Sequence, residues 1–153
     1  MISKDAILIA QNKWAQGLIA IGKQKENISE ASKIATEVIN TLYAYDSEKI
    51  LFKPTKAKDE PFRPSFEGAL SYFVGRDLNF PEDKGFALEP WVDIQFKNSG
   101  FVFDETTAMA MGHYEFTNSG GSKVSVEYSF GYKLSKDNQL KITLHHSSLP
   151  YSG

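Results

Sequence analysis

The stretch Thr107-Ala108-Met109-Ala110-Met111-Gly112-His113-Tyr114-Glu115-Phe116, then Asn118-Ser119-Gly120-Gly121, then Val124-Ser125-Val126-Glu127-Tyr128-Ser129-Phe130-Gly131-Tyr132, carries the clearest structural signal in the chain. Val124, Val126, Tyr128, Phe130 and Tyr132 recur at every second position, the period of a strand with one buried face. In the preceding arm Ala108, Ala110 and Gly112 share one side, and Met109, Met111 and His113 the other. The Asn-Ser-Gly-Gly between the arms is a hairpin turn, because Asn and Gly tolerate the left-handed backbone that such turns need.

The same period extends both ways from this hairpin. Upstream, Val92, Ile94 and Phe96 alternate with Asp93, Gln95 and Lys97. Asn98-Ser99-Gly100 reads as a turn, and Phe101 to Phe103 as a resumed strand. Downstream, Lys136-Asp137-Asn138 turns the chain into a last strand from Leu140 to about Ser147.

The first half has a different period. Ile7, Ala10, Trp14, Leu18 and Ile21 recur at helical spacing behind Ser3, a candidate N-cap, and Gly22 is a candidate stop. Gly17 lies inside this helix and would allow close packing. Ala31, Ile34, Ala35, Val38, Ile39 and Leu42 give a second helix, capped by Ser29, which leads into Tyr43, Ala44 and Tyr45. The Asn27-Ile28-Ser29 sequon is read as part of that cap. Ile50-Leu51-Phe52 is a short strand stopped by Pro54. Ser65 opens a short third helix in which Phe66, Ala69, Leu70 and Phe73 share a face. Tyr72 lies beside that face, and Gly75 ends the helix. Arg76 to Pro90 reads as a long loop. Helices first and strands last imply an α+β fold, a curved antiparallel sheet wrapped around helices with a pocket inside. Residues 1–153 read as one domain.

Composition narrows the function. The net charge is -2, with 17 Lys and Arg against 19 Asp and Glu, which gives no footprint for nucleic acid. There is no cysteine, so disulfides and thiolate chemistry are excluded. No apolar run reaches the roughly 20 residues of a membrane span, and the N-terminus lacks the basic start of a signal peptide. The expectation is a cytoplasmic protein.

The last strand carries the chemistry. Leu140-Lys141-Ile142-Thr143-Leu144 alternates and then runs into His145-His146-Ser147-Ser148, four polar side chains where burial alone would call for Val or Ile. Thr143, His145 and Ser147 share one face of a regular strand; Leu144, His146 and Ser148 share the other. The bulky residues of the preceding strand suggest that the apolar face, continuing to His146, meets the core. On that reading the pocket pair is His146 and Ser148. A bulge near the His pair would put Ser147 inside instead.

Several segments together resemble the iota-class carbonic anhydrases, a cone-shaped branch of the NTF2-like (cystatin-like) superfamily. They are Thr41-Leu42-Tyr43, Leu51-Phe52-Lys53-Pro54-Thr55-Lys56-Ala57, Gly68-Ala69-Leu70-Ser71-Tyr72-Phe73, Gly112-His113-Tyr114-Glu115-Phe116, Phe130-Gly131-Tyr132-Lys133 and Leu144-His145-His146-Ser147-Ser148-Leu149-Pro150. The compact form resembles the bacterial and cyanobacterial members. The resemblance implies reversible hydration of CO2 to bicarbonate without a metal or other cofactor. It also implies pocket residues at Thr55, at Tyr72, at His145 or His146, and at Ser147 or Ser148, with the spacing favouring Ser147. Thr55, Tyr72 and Ser147 are then the catalytic candidates, and His145, His146 and Ser148 the substrate-binding ones.

A metal site would have to use His113, His145 and His146 with a carboxylate such as Glu115 or Asp104. Adjacent histidines on a strand point to opposite faces, which works against it. Without a metal the site cannot hold hydroxide, because bulk water has a pKa near 15.7. A neutral His suits the role of general base, while Tyr72 and Ser147 position water and Thr55 holds a substrate oxygen. The His pair either relays the proton or fixes Ser147. Lys53, Lys56 and Lys58 read as a solvated run able to attract bicarbonate.

Two other readings of the same fold exist. One is an isomerase-type enzyme with a carboxylate base, for which Asp46, Asp93 and Asp104 are candidates. The other is a non-catalytic association module. Small residues at Ser125, Ser129 and Gly131 on the sheet suggest that a second copy packs there as a homodimer.

Overall fold

The structure is a computed structural model that describes residues 1–153. Helices α1 (Lys4–Lys23), α2 (Ile28–Leu42) and α3 (Phe66–Val74) precede a four-stranded meander of β2 (Trp91–Phe103), β3 (Thr107–Asn118), β4 (Lys123–Leu134) and β5 (Leu140–Ser148). The short strand β1 (Leu51–Lys53) lies between α2 and α3 in sequence, and a single 3-10 turn, Phe86–Leu88, follows α3. The sheet order is β1-β5-β4-β3-β2. The meander is antiparallel, but β1 adds to β5 in parallel, with Phe52 opposite His145. The sheet is therefore mixed at that edge.

The helix ends follow from local chemistry. Ser3 accepts a hydrogen bond from Ala6 N, and Ser65 from Gly68 N, each satisfying an N–H that the first turn leaves open. α2 is capped two residues earlier than Ser29 suggests: Asn27 Oδ1 accepts from Glu30 N. Gly22 does not stop α1. It sits inside the helix, where a Cβ would come within 2.7 Å of Ala87 O and 2.9 Å of Pro90 Cβ, so the glycine serves the approach of the 86–90 segment. Gly17 does the same for α2, with Val38 Cγ2 2.9 Å from its Cβ position.

Two stretches of sheet depart from simple alternation. Asn98-Ser99-Gly100 is not a turn. β2 runs straight through it with a register shift between Asn98 and Gly100, a bulge opposite Gly112. A Cβ at Gly112 would press on Ser99 N (2.8 Å) and Asn98 Cα (2.9 Å), so glycine makes the bulge possible. The second shift lies between β4 and β5, where Gly131 pairs with Leu144 but Tyr132 pairs with Ile142. Thr143 is the extra residue. It changes which side chains face inward: Ile142, His145 and Ser147 are buried, while His146 is exposed.

The inner face of the sheet supplies Ala108, Ala110, Tyr114, Phe116, Val126, Tyr128, Phe130 and Tyr132 to the core, and α1 supplies Ile7, Trp14, Leu18 and Ile21. Trp14 sits at the centre, stacked on Tyr114 and edge-on to Phe96, Phe116 and Phe130.

The bulge at Thr143 depends on space at Gly131, whose Cβ would lie 2.9 Å from Leu144 Cβ. Gly131→Ala should cost about 1–3 kcal/mol, the range for overpacking a filled site. It should appear as a lower denaturation midpoint with an unchanged slope; an unaltered midpoint would show that Leu144 yields freely.

Candidate active site

Three pieces of chain far apart in sequence meet at the β1 edge. Pro54 has no N–H to donate and ends β1, so the chain leaves the sheet there. Thr55, the next residue, stands beside the end of β5, with its Oγ1 2.6 Å from Ser147 Oγ. Lys53 reinforces the junction by donating from Nζ to Ser147 O at 2.9 Å. From α3, the Tyr72 hydroxyl accepts from Lys56 N at 3.0 Å.

Ser147 and His145 are joined from the sheet side by Tyr114 of β3. Its hydroxyl lies 2.5 Å from Ser147 Oγ and 3.0 Å from His145 Nε2. The other imidazole nitrogen, Nδ1, lies 2.7 Å from the Tyr43 hydroxyl, which accepts from Trp14 Nε1 at 3.0 Å. The imidazole is 2% exposed, stacked on Phe52 (4.8 Å between centroids) and tilted against Phe130 (4.2 Å). No buried side-chain nitrogen or oxygen lacks a partner, as a dry aromatic core requires.

Burial sets the protonation states. It pushes the phenols of Tyr43, Tyr72 and Tyr114 well above their ordinary value, because an anion there would lose its hydration. Thr55 favours the charged form of Tyr72 and Tyr114 but only partly offsets burial. Burial, and then the nearby His146, hold His145 well below the ordinary imidazole value. At neutral pH the cluster is therefore an uncharged set of three phenols, two aliphatic hydroxyls and one neutral imidazole.

Tyr72 also lines a cavity of about 380 Å³ with Lys56, Glu82, Asp83, Lys84, Gly85, Phe86 and Glu89. A buried ion pair fixes its rim. Arg63 Nη1 and Nη2 donate to the two oxygens of Asp83 at 2.7 and 2.8 Å, and Ser71 Oγ donates to Asp83 Oδ2 at 2.6 Å. Glu82 accepts from the backbone N–H groups of Lys58, Asp59 and Glu60. The polar loop after β1 and the long loop after α3, independent segments in the sequence, are thus tied together around Arg63.

Of the six candidate residues, Thr55, Tyr72, His145 and Ser147 come together. His146 and Ser148 do not. The Thr143 bulge turns them outward, where they line a separate groove with His113 and Glu127. The apolar-face expectation that put His146 and Ser148 inside is corrected by that one extra residue. The histidines do not converge on an ion: His113 faces Glu127 at 3.7 Å on the outside, and no group of three His, Asp or Glu side chains forms a metal cradle. Asp93 and Asp104 are exposed, and the side chain of Asp46 is 70% exposed, so none is the buried base that an isomerase site needs.

Sequence reading missed Trp14, Tyr43 and Tyr114 as members of the cluster. Tyr114 carried one usable signal, since it shares parity with Ala108, Ala110 and Gly112. Trp14 and Tyr43 carried none, being ordinary apolar positions on or after a helix.

A family model described as metal-independent carbonic anhydrase matches residues 5–149. A metal-independent carbonic anhydrase from Nostoc sp. (strain PCC 7120 / SAG 25.82 / UTEX 2576) is 39% identical over 98% of this chain and 75% of its own length. The crystal structure of an iota-carbonic anhydrase from a cyanobacterium, complexed with bicarbonate, superimposes with a TM-score of 0.96 at 37% identity, covering 99% of this chain and 94% of that one. A calcium/calmodulin-dependent protein kinase II association domain from Xanthomonas campestris (TM-score 0.68, 22% identity, 96% and 87% covered) and an NTF2-like dehydratase from Streptomyces avermitilis (0.61, 12%, 97% and 96%) share the fold.

Because the folded state binds a proton at His145 more weakly than the unfolded chain does, this group's contribution to stability is full above about pH 6.5 and declines below it. The wild type should therefore lose melting temperature faster than His145→Gln as the pH falls from about 7 to 5. Melting curves that stay parallel over that range would contradict the buried neutral imidazole.

Proposed function

The chain belongs to the metal-independent carbonic anhydrase family, and on that footing we propose how its pocket hydrates CO2 reversibly to bicarbonate. Thr55, Tyr72 and Ser147 hold the reacting oxygens. The observation that carries the assignment is that Thr55 from a loop, Tyr72 from a helix and Ser147 from the last strand come together at the β1 edge, with Tyr72 opening onto the cavity.

In hydration the lone pair of a water oxygen forms the new C–O bond, one C=O pair moves onto oxygen, and the water proton is released. Charge develops on the carboxyl oxygens of the nascent bicarbonate. Hydroxyl donors already aimed at that position stabilise it without reorganising. The phenols are protonated and thus able to donate, which their raised pKa values favour. Holding water against CO2 adds the gain of orientation. Phe52 and Phe86, the rings beside Tyr72, offer the apolar wall that an uncharged linear molecule prefers. The proton leaves to solvent through the cavity, past Glu82 and Glu89. Lys56 and Lys84 at the same mouth offset the carboxylates as the anion departs. His145 is a poor candidate for direct base, since both ring nitrogens are already engaged.

Residues 1–153 work as one domain on this reading, supported by a core drawn from all three helices and all five strands. A cytoplasmic homodimer remains part of the proposal. Exposed Val102, Met109 and Met111 on the outer sheet face support the second copy, and no helix is long and apolar enough to cross a membrane.

Chelator-treated protein should hydrate CO2 at the untreated rate. Tyr72→Phe and Ser147→Ala should each lower kcat by about 10²–10³, the cost of one donor to a developing oxyanion. His146→Ala, on the outer face, should change kcat less than about twofold. Stopped-flow hydration with a pH indicator measures all four; full activity in both hydroxyl variants would sink the assignment.

A further inference from the structure

Trp14 and Tyr43 lie behind His145, away from the cavity, yet they determine where its hydrogen sits. An indole N–H can only donate, so Tyr43 accepts from Trp14 Nε1. The Tyr43 hydroxyl is buried and meets one other polar atom, His145 Nδ1 at 2.7 Å. If Nδ1 carried a hydrogen, Tyr43 would receive two donors and its own hydrogen would face no acceptor in a dry core, which is disfavoured. Tyr43 therefore donates to Nδ1. A neutral imidazole has one N–H, so that hydrogen is on Nε2 and points at Tyr114.

The rest of the chain follows in one direction. Tyr114 accepts from Nε2 and donates to Ser147, and Ser147 donates to Thr55. The Thr55 hydrogen is then left for the neighbouring Tyr72 oxygen or for a bound oxygen. From the opposite side Lys56 N–H donates to the Tyr72 oxygen, so the Tyr72 hydrogen is left for the pocket. We infer that Tyr43, held by Trp14, is a positioning residue that locks His145 as its Nε2–H tautomer, and that the resulting one-way chain presents donors to a bicarbonate oxygen. This rests on the reading that Thr55, Tyr72 and Ser147 hold the reacting oxygens.

The same count closes the inner end to protons. A proton passed inward from Ser147 would reach an Nε2 that already bears hydrogen. Pushing that hydrogen on would leave one on Tyr43 facing the Trp14 N–H. His145 thus polarises the chain, each bond strengthening the next, and does not carry the proton away.

The test begins with the resting wild-type protein, labelled with 15N at histidine. Long-range proton–nitrogen correlation at neutral pH should find His145 Nδ1 bare and Nε2 protonated; the reverse pattern overturns the inference. Tyr43→Phe should give a mixture of tautomers. It should also lower kcat by about tenfold with KM nearly constant, as when the partner that orients a working side chain is removed. A pure Nε2–H tautomer with unchanged kcat in that variant overturns the role of Tyr43. His145→Gln keeps an N–H for Tyr114 but cannot relay a proton. It should stay within about tenfold of wild type, while His145→Ala should lose about 10²–10³. Gln as inactive as Ala, in protein that still melts cooperatively, means that His145 carries the proton and overturns the inference. A wild-type Nε2–H tautomer together with fully active Ser147→Ala would instead overturn the site reading, and the donor role with it.

Discussion

A neutral imidazole enclosed by aromatic rings, with a phenol on each nitrogen, is the constraint from which the rest of the site follows. In such surroundings a hydroxyl with no partner, or a charge with no counter-charge, costs several times what a surface group would cost. Every hydrogen from Trp14 to Thr55 must therefore be used, and the order in which they are used is fixed. The same enclosure keeps His145 and the three phenols uncharged. On the proposed mechanism, a pocket that cannot hold hydroxide lowers the barrier with aimed donors and a held water. Those are the contributions that a preorganised, water-poor site makes large.

The architecture that assembles this chain is built on an edge. β1 pairs with β5 in parallel, so Phe52 lies opposite His145 and Thr55 emerges beside Ser147. The proline after β1 ends the pairing at the position that brings Thr55 in. The Arg63–Asp83 pair then binds the loops on either side of α3, which sets Tyr72 against Lys56. Breaking a buried pair of this kind by removing one partner costs about 3–5 kcal/mol, since the other charge stays buried. Arg63 therefore acts on the site from a distance, by holding the rim in place.

Much of the fold could be read from periodicity. The alternation in Val124–Tyr132, the Asn118–Gly121 turn and the helical stripes around Trp14 and Ala35 each report a buried face, and a buried face is a local property of sequence. Asn98-Ser99-Gly100 misled because turn residues also suit a bulge. The difference lies across the sheet in Gly112, which gives the extra residue room. Gly22 misled in the same way: a glycine at a helix end and a glycine under a crossing backbone look alike until the crossing segment, Ala87 to Pro90, is in place.

The amino-acid sequence determined the family and the residue types of the candidate site: Thr55 after a proline-stopped strand, Tyr72 on a short helix, and a His-His-Ser-Ser run at the end of the last strand. It could not say which His and which Ser face inward, because alternation offers two consistent answers. That choice was made by one extra residue at Thr143, accommodated by Gly131 on the neighbouring strand. Nor could it bring Trp14, Tyr43 and Tyr114 to His145, since their roles exist only as distances between elements. Identity and period are carried along the chain; register, and the direction of a buried hydrogen bond, depend on what folding sets across from each residue.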